Sequence, residues 1–500
     1  MISTRITAGA ALLALAPLAV AAQQDAQAPL SAIDWLGTVP VEEALSDPQL
    51  ALEEPVTASA ASPAVEAAPL DEASGPGVGL LPEAASGLPS TLWQGSSAEE
   101  VGAAFRALPA EPLRPVALLR ERLLLASAAP PLGSDAESFL SARTALLMEL
   151  GAAEPALALI EAVDPLTPAL FTHYADLSLL LNREDSACRR LAVTPSLSDD
   201  LALRTFCLAR NADWNAAAVT LQTAELLGEI SPDLATLLAQ FLEPELADAG
   251  PPPVDDGDVT PLIVRLREAV GAPLATARLP LLYAQGDLRP EMGWKAQIDA
   301  AERLARTGAV SPGQLFALYT SGTPSASGSV WERAAAVQKL DAALTEGRER
   351  PLERALEAAT SEMARAGLLP QLAEMVALQI DPMQELGAEA SRHRTALLLL
   401  SDRYEEAAPL APPVPRGLAS GDVTGTAPAT ALERALVAGF SAQPKRIDGP
   451  LGTTILKALA QIEAVRQGDL SRLSDALSTL RSVGLESAAR RIALHLWVLS

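Results

Sequence analysis

Three helix-breaking positions, Gly151, Asn182 and Asn211, recur at steps of 31 and 29 residues. Between them lie segments with the apolar spacing of amphipathic helices. Gly and Asn accept the left-handed backbone that ends a helix, so each break has a mechanism. The spacing predicts three helix pairs: Asp135 to Leu150 with Glu154 to Val163, Thr167 to Leu181 with Glu184 to Leu191, and Asp199 to Arg210 with Asp213 to Leu227. In the last, Trp214, Ala217, Ala218, Leu221, Ala224 and Leu227 form one stripe at spacings of three and four. A period of this size is that of two-helix repeats, whose cores grow in one dimension. Aromatic residues make up 3% of the chain, while Ala and Leu dominate. This suits close helix packing and not a sheet core. The predicted class is all-α, an α-solenoid of antiparallel helix pairs of tetratricopeptide-like period.

Cys188 and Cys207 are the only cysteines and lie nearly symmetrically about the predicted turn Thr194 to Asp199. Antiparallel helices joined there place the two side chains opposite one another, which predicts a disulfide in an oxidising compartment. No Cys-x-x-Cys is present to suggest a redox-active pair.

The start of the chain agrees with such a compartment. One positive charge, Arg5, precedes an apolar run from Ala8 to Val20, the length of a signal-peptide core and too short to span a bilayer. Small residues offer cleavage after Ala21 or Ala22, giving a signal peptide over 1–22 and a periplasmic or secreted product. No later stretch is apolar enough to cross a membrane, so stable membrane insertion of the mature chain is not expected.

Residues 23–95 read as a disordered acidic arm. Gln23 to Leu92 holds eleven Asp and Glu, no Lys or Arg, and many Pro, Ala and Ser, too little apolar surface to offset the entropy of ordering. Its apolar islands include Ile33, Trp35 and Leu36, Leu80 and Leu81, and Trp93. They are candidate docking motifs, for a groove on a partner or on this chain's own helices.

Helical regions follow at 96–249, 260–408 and 429–500. Pro251, Pro252 and Pro253 mark a linker at 250–259, and a proline-rich linker is expected at 409–428. Whether the three regions form one continuous stack is left open.

The sequence offers little chemistry. His173, His393 and His495 are widely separated, and there is no metal-ligand spacing, nucleophile elbow or phosphate-binding loop. No catalytic, cofactor-binding or metal residue is expected. Glu486-Ser487 resembles the Glu-Ser pair of lytic transglycosylases, but the surrounding catalytic pattern is missing, and Glu486 reads more simply as a first-turn acid after Gly484. The 62 acidic against 37 basic residues, a net charge of -25, argue against nucleic acid and anionic lipid as partners.

Two blocks carry a resemblance. Cys188, Phe206-Cys207 and Trp214-Asn215-Ala216-Ala217 lie in the first. Ile33-Asp34-Trp35-Leu36, Gly77-Val78-Gly79-Leu80-Leu81-Pro82 and Gly87-Leu88-Pro89 followed by Leu92-Trp93 form the second. Together they resemble uncharacterised alphaproteobacterial periplasmic helical-repeat proteins of tetratricopeptide-like type. That resemblance implies a compartment and a fold and carries no activity. The expected function is an exported scaffold that binds a protein or peptide partner in the cell envelope, its oligomeric state open. A cell-wall-acting enzyme and a purely structural envelope protein are the alternatives.

Overall fold

The computed structural model describes residues 78–500, except 326, 327, 444–446, 448 and the side chains of 247–249. The predicted signal peptide, most of the acidic arm, and Ile33, Trp35 and Leu36 lie outside the described residues. The described part belongs to one compact unit, Pro69–Ser500, and is helical throughout. Its only β-type pairings among the described residues are the isolated bridges Leu81 to Ala126 and Ser97 to Leu132.

The α-helices of eight residues or more begin with α1 (Ala98–Arg106) and α2 (Arg114–Leu125). Three pairs follow: α3 (Ala136–Glu149) with α4 (Ala153–Glu161), α5 (Pro168–Leu180) with α6 (Glu184–Val193), and α7 (Leu201–Arg210) with α8 (Trp214–Leu227). These match the predicted pairs to within about two residues, the usual scatter of helix ends. Next come α9 (Pro232–Leu242), α10 (Pro261–Ala269), α11 (Trp294–Thr307), α12 (Pro312–Thr320), α13 (Val330–Glu346), α14 (Glu349–Arg365), α15 (Leu369–Val376) and α16 (Ala388–Leu399). The chain ends with α17 (Pro413–Ser420), α18 (Ala431–Ser441), α19 (Leu451–Glu463), α20 (Leu473–Ser482) and α21 (Glu486–Val498).

Local chemistry sets these starts. Asp135, Thr167, Asp200, Asp213, Ser231 and Thr260 each accept a hydrogen bond from a backbone N–H in the first turn. Ser97, Ser311 and Thr430 complete reciprocal capping boxes, satisfying donors that the helix itself leaves orphaned. Pro168, Pro232, Pro261 and Pro312 occupy first-turn positions, where a missing N–H costs nothing. Many of the chain's 40 prolines are therefore compatible with an all-α fold. The left-handed breaks fall at Gly151 and Asn182 as predicted, but the third is Ala212. Asn211 itself has φ of -85°.

Two sequence expectations are corrected. The arm does not extend to residue 95: Leu88, Leu92 and Trp93 are buried. The Leu80 and Leu81 amides both donate to the Leu125 carbonyl (2.9 and 3.0 Å). Of the two docking sites considered for the islands, Leu80, Leu81 and Trp93 take the one on this chain's own helices, which composition alone does not decide. Nor is 409–428 a linker. It contains α17, whose Val414, Leu418 and Ala419 are buried, because Pro413 and Pro415 fall in the first turn, where proline is tolerated.

The stack also returns on itself. Helix α1 packs on α19, and α2 contacts α3, α11, α19 and α21. Accordingly α2 is buried on nearly every side, at Val116, Ala117, Leu119, Leu123 and Leu124 among others, as expected of a central helix. Its polar groups staple neighbours together. The Leu113 amide donates to Glu463 (2.8 Å), and the Arg114 guanidinium grips Glu374 through Nε and Nη2 (2.9 and 3.1 Å). Arg120 donates to the carbonyls of Pro109 and Thr307. A single core cluster runs from Leu88 to Leu496.

Candidate binding groove

Antiparallel helix pairs stacked in one direction bring the starts of alternate helices to the same side. Here that side is hollowed into a groove of about 890 Å³. Its floor is apolar, with Ala175 and Leu179 of α5, Leu203 of α7, Leu237 of α9 and Leu262 of α10, all buried. Its upper wall is the extended segment that includes Pro252, Pro253 and Val254, the linker predicted at 250–259.

Carboxylates crowd this groove. Asp176 comes from α5, Asp199 and Asp200 from the turn before α7, Glu229 and Asp233 from the start of α9, and Asp255 and Asp258 from the extended wall. Asp200 is engaged as the α7 cap, accepting from Ala202 and Leu203 (2.8 and 3.1 Å). Asp199 lies at the limit of an ion pair with Arg204, 4.0 Å away. Among the described residues no ion pair reaches Asp176, Glu229, Asp233, Asp255 or Asp258. Arg267 is the one basic lining residue, and it donates through Nη1 to the Pro252 carbonyl (2.8 Å) and through Nε to the Ala272 carbonyl (3.1 Å). With seven carboxylates against one guanidinium in its lining, the groove carries a net negative potential. Burial, with the Asp200 charge nearby, pushes the Asp176 carboxyl up to about 6. A carboxyl so perturbed lies at the base of a cleft able to receive a cationic group.

The predicted site residues are distributed differently. Cys188 and Cys207 are joined in a disulfide across α6 and α7, with Cα atoms 4.8 Å apart. Leu80, Leu81 and Trp93 are not offered to a partner, since they are docked on this chain's own helices. The Trp93 ring lies 5.7 Å from that of Phe105 and 6.0 Å from that of Phe139. Glu486 stands in the first turn of α21, paired with Arg481 (2.8 Å) and Arg490 (3.3 Å), a carboxylate bound into a structural network. No cluster of His, Cys, Asp and Glu among the described residues could hold a metal ion.

The groove acids were missed in the sequence because they lie up to about eighty residues apart and resemble ordinary caps and loop acids. The available signal was positional, since acids recur around the starts of α7, α9 and α10, which meet on one side. Comparison with protein-family models, with curated proteins and with solved structures returns no match.

Proposed function

We propose that this chain is an exported helical-repeat scaffold of the cell envelope that binds a protein or peptide partner, and that the partner lays a basic, extended segment in the acidic groove. The observation that carries this reading is the combination of an apolar floor with an excess of carboxylates in one cleft of about 890 Å³. Apolar side chains of the segment would be buried on the floor, while its Lys or Arg side chains meet the acidic walls. Such electrostatics raise the rate of encounter and fix register more than they add affinity. The Cys188–Cys207 bond supports an oxidising compartment. No helix among the described residues is long and apolar enough to cross a membrane.

The test uses the full mature chain and two synthetic peptides of equal length, one alternating Lys with Leu and one alternating Glu with Leu, followed by calorimetry. The Lys peptide is expected to bind, to weaken steeply between low and physiological salt, and to lose affinity to an Asp233→Lys, Asp258→Lys variant. Equal binding of both peptides, or affinity unchanged in the variant, overturns the assignment to this groove.

A further inference from the structure

Helix α8 carries apolar side chains on two faces, and the chain covers one of them. Ala217, Leu221 and Ala224 are buried where α8 packs on α7 and α9. On the other side Val219, Thr223, Leu226 and Leu227 follow the i, i+4, i+7, i+8 spacing of a second stripe, and Leu226 is 88% exposed. Val193, 84% exposed, ends α6. Five of the ten large hydrophobic side chains exposed among the described residues fall between 193 and 227. Scattered surface leucines need no explanation, but a cluster of this kind marks an interaction site.

Beside the stripe lies a groove of about 420 Å³. Both α6 and α8 pack on α7 and far less on each other, and the groove is the gap between them. Leu191 and Ala192 of α6, Leu208 of α7, Val219 of α8 and the Cys188–Cys207 disulfide line it. The Thr220 and Thr223 hydroxyls turn back on their own helix, donating to the carbonyls of Ala216 and Val219 (2.8 Å each). Arg204 is the one charged lining residue, and it donates through Nε and Nη2 to the Ser198 carbonyl (2.8 and 2.6 Å). What such a groove takes up is apolar.

The charges on the two helices select the occupant. From Ser186 to Val193, α6 carries Arg189 and Arg190 and no acid, whereas α8 carries Glu225 and no base. Among the described residues neither Arg189 nor Glu225 has an ion pair, and Arg189 donates to Ser186 Oγ at 3.0 Å. This face therefore lacks the acid excess that makes two chains of net charge -25 repel each other, and α6 complements α8 in charge. We propose that the face is the interface of a homodimer, in which a two-fold axis lays α6 of each copy on α8 of the other. Such an isologous contact makes every pairing twice. Both helices are antiparallel to α7 and so run the same way. An axis parallel to them brings Val193 of one copy to the Leu226 end of α8 in the second, and Arg189 towards Glu225, while the groove takes up the exposed leucines. The 14 residues of α8 span about 20 Å, which places the contact at the small end of specific interfaces. A reversible dimer of micromolar strength is expected.

Sedimentation velocity of the full mature chain, from nanomolar to submillimolar, is the test. A two-chain species should form in the micromolar range. Leu226→Glu and Val193→Asp, at exposed positions that the fold does not use, are each expected to weaken the dimer by about tenfold or more, since each buries an unpaired charge in the contact. Arg189→Glu should weaken it as well, and the Arg189→Glu, Glu225→Arg double variant should restore it, a rescue that a merely adhesive apolar patch would not show. A one-chain mass at every concentration, a dimer indifferent to Leu226→Glu, or no rescue in the double variant would overturn the proposal. So would a monomer that binds neutral phosphatidylcholine vesicles and loses them in Leu226→Glu, which would give the face to a lipid surface.

Discussion

Gly452 lies against the face of the Trp93 indole, so close that a Cβ at 452 would fall 2.5 Å from Trp93 Cε3 and 3.0 Å from the Leu92 carbonyl oxygen. The Gly452 amide donates to that same carbonyl at 2.9 Å, so the first turn of α19 is hydrogen-bonded directly to the segment before α1. The glycine is required here for close approach, since no side chain fits between ring and helix. Gly452→Ala is expected to destabilise the protein by about 1 to 3 kcal/mol through overpacking, and Trp93→Ala by about 3 to 5 kcal/mol through the cavity it leaves. Urea unfolding followed by circular dichroism measures both. Wild-type stability in either variant would remove the seam between the ends of the stack from the list of what holds the fold.

A similar anchor is the Arg143 guanidinium, 1% exposed. It donates to the carbonyls of Leu124 (3.2 Å), Ala126 (3.0 Å) and Val78 and lies over the Phe139 ring, 4.8 Å from its centroid. Burial pushes it down to about 10, still charged at neutral pH. Arg143→Met keeps much of the volume but strands three acceptors, with an expected cost of about 3 kcal/mol. Protease digestion near residue 78 should speed up more than digestion at α7, because the variant releases that segment first.

The Cys188–Cys207 bond closes a loop of sequence separation 19. In the chain-entropy model such a crosslink is worth about 3 kcal/mol. The Cys188→Ser, Cys207→Ser double variant should lose about that amount, and reduction of the wild type should lower its unfolding midpoint to match. A reduced protein as stable as the oxidised one would mean that packing of α6 on α7 alone holds this hairpin.

What the sequence discloses here follows from how local each feature is. The six helices from Asp135 to Leu227 were legible because their caps, breaks and apolar stripes lie within one or two turns of each other, and the disulfide followed from the turn between two of them. Trp93 reads in the sequence as part of a disordered arm, with docking on a partner or on the chain's own helices left open, because its partners include a residue some 360 positions away and nothing near it in sequence distinguishes a buried tryptophan from an exposed one. Helix α17 was misread because prolines were counted without asking whether they fall in a first turn. The groove acids were illegible for the same reason as Trp93, since their meaning depends on which distant helices they meet.

Two buried titratable groups give opposite pH dependences that variants can separate. Asp176 is raised to about 6, so the folded protein holds that proton more tightly than the unfolded chain. Its contribution to stability is therefore lost as pH rises from about 4 through 6. Asp176→Asn should be more stable than wild type at pH 7, by about 2 to 3 kcal/mol at most, with the difference vanishing below about pH 4. His495 is fully buried, with Nε2 3.1 Å from the Leu400 carbonyl. Burial, then the nearby Arg491 charge, pushes it down to about 3. Here the unfolded chain takes the proton first, so stability falls as pH drops below about 6.5. His495→Gln should flatten that acid limb whatever its cost at neutral pH. Urea midpoints measured from pH 4 to 8 for both variants decide the matter: parallel curves for Asp176→Asn and wild type would place its carboxyl in the ordinary range. A Lys-containing peptide in the groove, by favouring the ionised form, should also release a proton on binding near pH 6, seen as a buffer-dependent heat that Asp176→Asn abolishes.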